Sequence, residues 1–274
     1  MKGRVLIVAG SDSGGGAGIQ ADIKTVTALG AYAETALTAV TAQDTLAVHA
    51  IEPVSPALVA RQIEVVLNDP GADAVKTGML ASAQVAAAVA TALERFGGPI
   101  VVDPVMAATS GTRLLDDDAL EILKRRLIAR AALVTPNIPE AERLLGRKIP
   151  DAAAMERAAR DLLALGAHAV LLKGGHLEGP SVVDVLAMDG RVERFESPRL
   201  ESRNTHGTGC TLASAIATGL AQGLDLVASI ARARAYVREA IRSAPGFGRG
   251  QGPLNHGHTV QPFEIPTRRP GERP

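Results

Sequence analysis

The sequence predicts an α/β fold of three layers, αβα: a mostly parallel central sheet with helices on both faces and an antiparallel hairpin at one edge. Three observations carry this. Short apolar runs of strand length alternate with helix-length periodic segments, as in strands joined by crossover helices. The runs are continuous, which suits strands buried on both faces. Residues 182–197 break the pattern with VVDVLAM, then Asp189-Gly190, then RVERFES, two strand-like runs around a pair that tolerates positive φ.

Element by element, the pattern predicts strands over 4–9, 35–42, 74–77, 100–102, 133–135 and 170–173. Helices are predicted over 18–29, 56–67, 82–96, 116–127, 139–145 and 152–165, and after the hairpin over 211–222 and 225–243. No repeat or linker divides the chain, so residues 1–258 read as a single domain. From Pro245 the composition turns to Gly, Pro, His and Arg, and residues 259–274 read as a flexible tail.

Composition narrows the function. The 29 basic and 29 acidic residues balance, which gives no electrostatic pull toward nucleic acid or an anionic membrane. With no Trp, four Phe and two Tyr, the chain lacks stacking platforms for single strands. Its one cysteine forms no internal disulfide, which favours a reducing compartment. The apolar run after the N-terminus is too short for a signal peptide, and no stretch is long enough to cross a bilayer. The expectation is a cytoplasmic protein acting on a small molecule.

Ligands of parallel α/β sheets bind beyond the carboxyl ends of the strands. The first strand runs into GSDSGGGAGIQAD, Gly10 to Asp22, whose glycines let backbone N–H groups close around an anion or a flat ring. The segment fits neither the dinucleotide nor the Walker spacing; a plain flexible turn is the alternative. Later strand ends carry Gln43, then Lys76 and Met79 in KTGML, then Asp103 and Val105 in VVDPVM. Asp103 suits Mg²⁺ held through water, or a turn before proline. Asn137 and Glu140 in TPNIPEAE face one site, or form a capping box. Lys173 in LLKGGH suits a phosphate counter-charge. Gly207, Thr208 and Gly209 admit close backbone approach at a helix N-terminus, where phosphoryl charge would be stabilised. The same position is expected to lower the Cys210 thiol's pKa and give partial thiolate at neutral pH. His206 either supports phosphate charge or shapes the loop, Lys76 is left as a structural or a site residue, and Asp116 to Asp118 read as a solvated helix cap.

Taken together, AGSDSGGGAGIQADIKT, TAVTAQDT, KTGML, VVDPVM, TPNIPEAE, LLKGGH, NTHGTGCTLASAIA and GPLNH resemble the ribokinase-like superfamily. Within it they resemble the hydroxymethylpyrimidine/phosphomethylpyrimidine kinases of thiamine biosynthesis. The resemblance spans residues 5–258. It implies ATP-dependent phosphorylation of 4-amino-5-hydroxymethyl-2-methylpyrimidine to the monophosphate and then the diphosphate, with Mg²⁺ and a homodimer. By that resemblance Gly10, Asp22, Gln43, Met79 and Val105 bind the substrate, and Asp103 and Glu140 hold the metal. Asn137, Glu140, Lys173, Pro253 and His256 lie at the nucleotide, and Gly207 to Cys210 form the anion hole. Cys210 stands where most of the superfamily has an aspartate base, a departure that agrees with the pyrimidine kinases. A pyridoxal kinase is the nearest rival, and a non-catalytic pyrimidine-binding protein the second.

Overall fold

The structure, a computed structural model, describes residues 1–263 apart from 109, 110, 113 and 189. Strand β1 (Arg4–Ala9) leads into α1 (Gly18–Ala28), β2 (Tyr32–Leu37), β3 (Ala39–Gln43), β4 (Val48–Pro53) and α2 (Pro56–Asn68). Then follow β5 (Ala74–Thr77), α3 (Ala83–Ala92), β6 (Ile100–Val102), α4 (Asp117–Ile122), β7 (Leu133–Val134), α5 (Ile138–Leu145), α6 (Ala152–Leu163) and β8 (Ala169–Leu172). The chain closes with β9 (Ser181–Met188), β10 (Arg191–Pro198), α7 (Thr208–Ala221) and α8 (Leu226–Arg242).

Eight strands form one sheet in the order β10-β9-β8-β7-β6-β5-β1-β2. Pairing is parallel from β2 across to β8 and antiparallel for β9 and β10. The expected mostly parallel sheet and edge hairpin are both present; Asp189 of the expected turn, and residues 264–274 of the expected tail, lie outside the described residues. Continuous apolar runs occur because β1, β5 and β8 pack helices on both sides, and Val5 to Ala9 are all buried. Two apolar clusters result, one on each face: Leu6, Val8 and Val75 on one side, Val5, Ile7 and Val101 on the other.

Helix α7 lies at the centre of the second face, with Thr211 to Gly219 all buried. Its small residues have a packing reason. A Cβ on Gly219 would sit 2.4 Å from Ser229 Oγ of α8, so only glycine permits that crossing.

Two expectations need correction. The single strand over 35–42 is two strands. At Thr38 the N–H donates to Ala9 O (3.0 Å), the O accepts from Val54 N (2.9 Å) and the hydroxyl donates to Met79 O (2.6 Å). That pins a bend with no Gly or Pro to announce it. Beyond it Ala39–Gln43 leaves the main sheet and pairs antiparallel with β4, which the apolar pattern did not mark because β4 is largely exposed. The helix over 116–127 is α-helical only to Ile122 and then widens to a π turn over Leu123–Leu127. Asp116 caps it by accepting from Ala119 N (2.7 Å), and Asp117 pairs with Arg143 (2.7 Å), as the cap reading expects.

Candidate active site

The carboxyl ends of β1, β5, β6, β7 and β8 carry most of the expected residues. At the centre Lys173 Nζ donates to Asp103 Oδ1 at 2.9 Å, and Thr135 Oγ1 donates to the same oxygen at 3.1 Å. Across from them stands the first turn of α7. A Cβ on Gly209 would lie 3.2 Å from Lys173 Nζ and 3.7 Å from Asp103 Oδ2. The N-terminal end of α7 therefore opens onto this ion pair. Gly207, at φ 83°, precedes the helix, and a Cβ there would lie 1.8 Å from Gly16 O. That close approach fixes the anion loop against the glycine turn.

Asn137 and Glu140 form the capping box. Asn137 N donates to Glu140 Oε2 at 2.7 Å, and Glu140 N donates to Asn137 Oδ1 at 2.9 Å. Burial pushes the Glu140 carboxyl up to about 7, against the pull of Lys173 and with a further push from Asp103. Burial disfavours the Lys173 ammonium, but Asp103 and Glu140 outweigh it and hold its pKa above the usual lysine range. Among the described residues no three acidic, His or Cys side chains gather as a metal group. With Glu140 accepting from the backbone of Asn137 and Met106, and Asp103 Oδ1 taken by Lys173 and Thr135, Asp103 Oδ2 is the oxygen best placed for a cation. Glu140, the other expected metal residue, has its carboxyl engaged in the capping box. The donor set suits Mg²⁺ completed by phosphate and water oxygens, its usual coordination.

Cys210, half-buried, is the third residue of α7. Burial pushes its thiol up to about 11; Lys76 pulls the other way, and Asp22 and Asp103 add to the rise. The expected partial thiolate at neutral pH is thereby overturned. Loss of hydration outweighs the helix end and the nearby ammonium.

Lys76 is fully buried and donates to Asp22 Oδ2 at 2.7 Å. Asp22 Oδ1 accepts from Ser214 Oγ at 2.6 Å, and Asp22 is itself fully buried. Both oxygens of Asp22 are used inside the protein, where it anchors Lys76. Ser214 lies one turn after Cys210 on α7, so the pair sits beneath the thiol.

Two of the other proposed ring contacts adjoin each other. A Cβ on Gly10 would lie 3.1 Å from Met79 Sδ, so both border one space. Val105, half-buried, is two residues after Asp103, across Pro104, its N–H donating to Asp103 O (2.8 Å). Gln43 lines a cavity of about 310 Å³ together with Asp44, Thr45, Leu46, His206, Gly250 and Gln251. Its backbone is fixed by Ser13: Gln43 N donates to Ser13 Oγ (2.8 Å), and that hydroxyl donates to Gln43 O (2.9 Å).

Pro253 and His256 lie in a second group of contacts, around the glycine turn and α7. Pro253 is bridged to His206 and packs at Gly16; His256 Nε2 is 2.9 Å from Thr211 Oγ1, and His256 O accepts from Tyr236 OH (2.6 Å). Both line a separate cavity of about 570 Å³ beside Lys24 of α1. His206, left from sequence between supporting phosphate charge and shaping the loop, pairs with Asp12, which the sequence did not single out. The pairing of a glycine-turn aspartate with a histidine 194 positions away leaves no local pattern to read.

Residues 12–255 match the family model described as Phosphomethylpyrimidine kinase. Similar proteins include the thiamine biosynthesis bifunctional protein ThiED of Geobacter sulfurreducens, 57% identical over 93% of this chain and 52% of that protein. The chain thus spans about half the length of that relative. The hydroxymethylpyrimidine/phosphomethylpyrimidine kinase of Rhizobium meliloti is 48% identical, over 92% of this chain and 96% of its own. Among solved structures, the ADP complex of Bacillus subtilis pyridoxal kinase superposes with a TM-score of 0.87 at 32% identity, covering 94% and 98% of the two chains. The ribokinase-like fold expected from the motifs is the observed one.

Proposed function

The chain belongs to the phosphomethylpyrimidine kinase family, and on that premise we propose that it uses ATP to phosphorylate 4-amino-5-hydroxymethyl-2-methylpyrimidine and then its monophosphate. The observation that carries this is the meeting of Gly209, Lys173 and Asp103 within contact distance at the start of a buried helix. A helix N-terminus, an ammonium and a carboxylate that can share a cation form a cradle for a moving phosphoryl group.

In this reading the ring lies between Gly10, Met79 and Val105 and is read at its edge by Gln43. The hydroxymethyl group points toward Cys210. The N–H groups of Gly207 to Cys210 take the charge that spreads over the phosphoryl oxygens, and Lys173 steadies the transferred group. Mg²⁺ on Asp103, when bound, would neutralise phosphate charge. Because the Cys210 thiol holds its proton at neutral pH, anion stabilisation carries more of the reaction than base catalysis.

A pyridoxal kinase is the second reading, favoured by the close superposition on such an enzyme. We further propose a cytoplasmic homodimer. The single cysteine fits a reducing compartment, and among the described residues no helix is long and apolar enough to cross a membrane.

The test is ADP release with Mg²⁺-ATP and, in separate reactions, hydroxymethylpyrimidine, its monophosphate, pyridoxal and no acceptor. Turnover with both pyrimidine species and little with pyridoxal is expected. Turnover with pyridoxal alone moves the assignment to the second reading. Pyrimidine binding without turnover removes the catalytic assignment.

A further inference from the structure

Lys173 is gripped on two sides as it leaves the sheet. Toward β7 its N–H donates to Pro136 O at 2.8 Å, and it bridges to Asn137 in parallel. Toward β9 the grip is of another kind. The antiparallel pairing of β8 with β9 ends at Leu172 opposite Val185, so the register carries Lys173 up to Asp184. Gly174 N then donates to the side chain of Asp184, 2.8 Å from Oδ1. A Cβ on Gly174 would lie 1.9 Å from Val183 O, so the chain turns hard against β9 at a residue that only glycine can fill.

The other oxygen of Asp184 is paired with Arg234 of α8, and both side chains are nearly enclosed. Arg234 also donates to Ser197 Oγ of β10 at 3.2 Å. A pair that only fastened the edge hairpin to α8 would have no use for a donor from beyond β8. Asp184 gives one oxygen to each. Arg234 also balances the charge of a buried carboxylate opposite Lys173, which stays with Asp103 at 2.9 Å. The loop beyond has its own anchor, since Arg199 donates to Gly175 O at 3.0 Å and to Gly179 O at 2.9 Å. Loss of the Asp184 oxygen therefore acts on the turn that carries Lys173 and not on the whole loop.

We propose that Asp184, held by Arg234, is a positioning residue for phosphoryl transfer: it fixes where the chain leaves β8 and so aims the Lys173 ammonium at the transferred group. It touches no reacting atom. The inference rests on the kinase reading above, in which Lys173 steadies that group. Misplacing a reacting constellation by about 1 Å can cost about 10²-fold in rate, so one hydrogen bond behind Lys173 is visible in kcat.

The experiment compares two paired variants that both lack the two charges, so that neither leaves an unpartnered buried ion. D184N/R234M keeps an oxygen for Gly174 N; D184V/R234M removes it and suits a strand. Each is made in the parent and together with K173M, and ADP release with hydroxymethylpyrimidine and with pyridoxal is read as kcat and acceptor KM. D184N/R234M is expected to keep kcat within about threefold of the parent, because the amide oxygen accepts as the carboxylate did. D184V/R234M is expected to lower kcat about 30-fold with acceptor KM within about threefold, less than the loss of a preorganised contact itself. With K173M already present, the same change is expected to lower kcat by less than about threefold more, because its route to the reaction is gone. If D184V/R234M fails to fold, D184A/R234M takes its place in the cycle. Equal kcat in the Asn and Val variants, or losses that multiply with K173M, overturn the inference and leave the kinase assignment intact. A parent that releases no ADP with any acceptor overturns both.

Discussion

The hydrogen side of Gly209 faces the Lys173–Asp103 ion pair: a methyl group there would stand 3.2 Å from the ammonium and 3.7 Å from Asp103 Oδ2. A glycine on a buried helix is usually explained by packing. Here the neighbour is the far end of a lysine that a phosphate would need to reach.

Gly209→Ala should therefore spare the fold and damage the reaction. The lysine can yield by a few tenths of an ångström, so the thermal midpoint is expected to stay within about 3 °C of the parent. The ammonium is then displaced from the line of the transferred phosphate, and kcat is expected to fall by about 10²-fold, the scale of losing one preorganised electrostatic contact. A melting curve and steady-state kinetics decide it. Loss of stability without loss of kcat in the folded fraction would make Gly209 a packing residue.

Lys76→Met leaves Asp22 as a buried carboxylate with only Ser214 against it. Breaking a buried pair on one side typically costs about 3–5 kcal/mol. At this chain length that corresponds to a fall in melting temperature of roughly 10 °C. The double change Lys76→Met with Asp22→Asn removes both charges and should recover most of the loss. If the double variant melts as low as the single one, the lysine acts through its shape and not its charge.

Most of the sheet was legible from sequence because its strands are buried on both faces and so read as unbroken apolar runs. The break at Thr38 was not, since it is made by three hydrogen bonds to distant backbone. The same contrast holds at the site. Lys173, Asp103 and the GTGC turn follow strand ends or open a helix, positions that a parallel sheet assigns to ligands. The Asp22–Lys76 pair was not legible, because the helical turn carries Asp22 inward to a lysine 54 positions away. The thiol's high pKa was equally hidden, because it depends on how many neighbours exclude water.

Glu34 offers a stability test away from the site. Its two carboxylate oxygens are buried and have no hydrogen-bond partner among the described residues. Burial pushes the group up to about 7, with Arg4 pulling down and Asp73 pushing up. A folded-state pKa above the unfolded one means that the unfolded chain gives up its proton first. The protein is then favoured at low pH by the protonated form and loses that advantage as pH rises from about 4.5 to about 7. Glu34→Gln should accordingly be more stable than the parent at pH 8, by roughly 1 kcal/mol after allowance for screening near the sheet edge. The difference should shrink at pH 5. Urea unfolding at the two pH values gives the answer; a variant less stable than the parent at pH 8 contradicts the assignment.

The two successive phosphorylations separate the roles of Cys210. In the first the nucleophile is a hydroxyl that must lose a proton; in the second it is a phosphate oxygen that carries none near neutrality. With the thiol pushed up to about 11, the thiolate fraction grows tenfold per pH unit through the neutral range. If the thiolate accepts the hydroxyl proton, kcat for the first step rises with pH while the second stays flat, and Cys210→Ala abolishes the slope. Such a base is worth about 10²-fold or more, so Cys210→Ala should slow the first step by that factor and the second only slightly, with little change in KM for ATP. Equal slowing of both steps, with no pH slope in the parent, would assign Cys210 to the shape of the anion loop alone. Initial rates with each acceptor from pH 6 to pH 9, parent beside variant, distinguish the two.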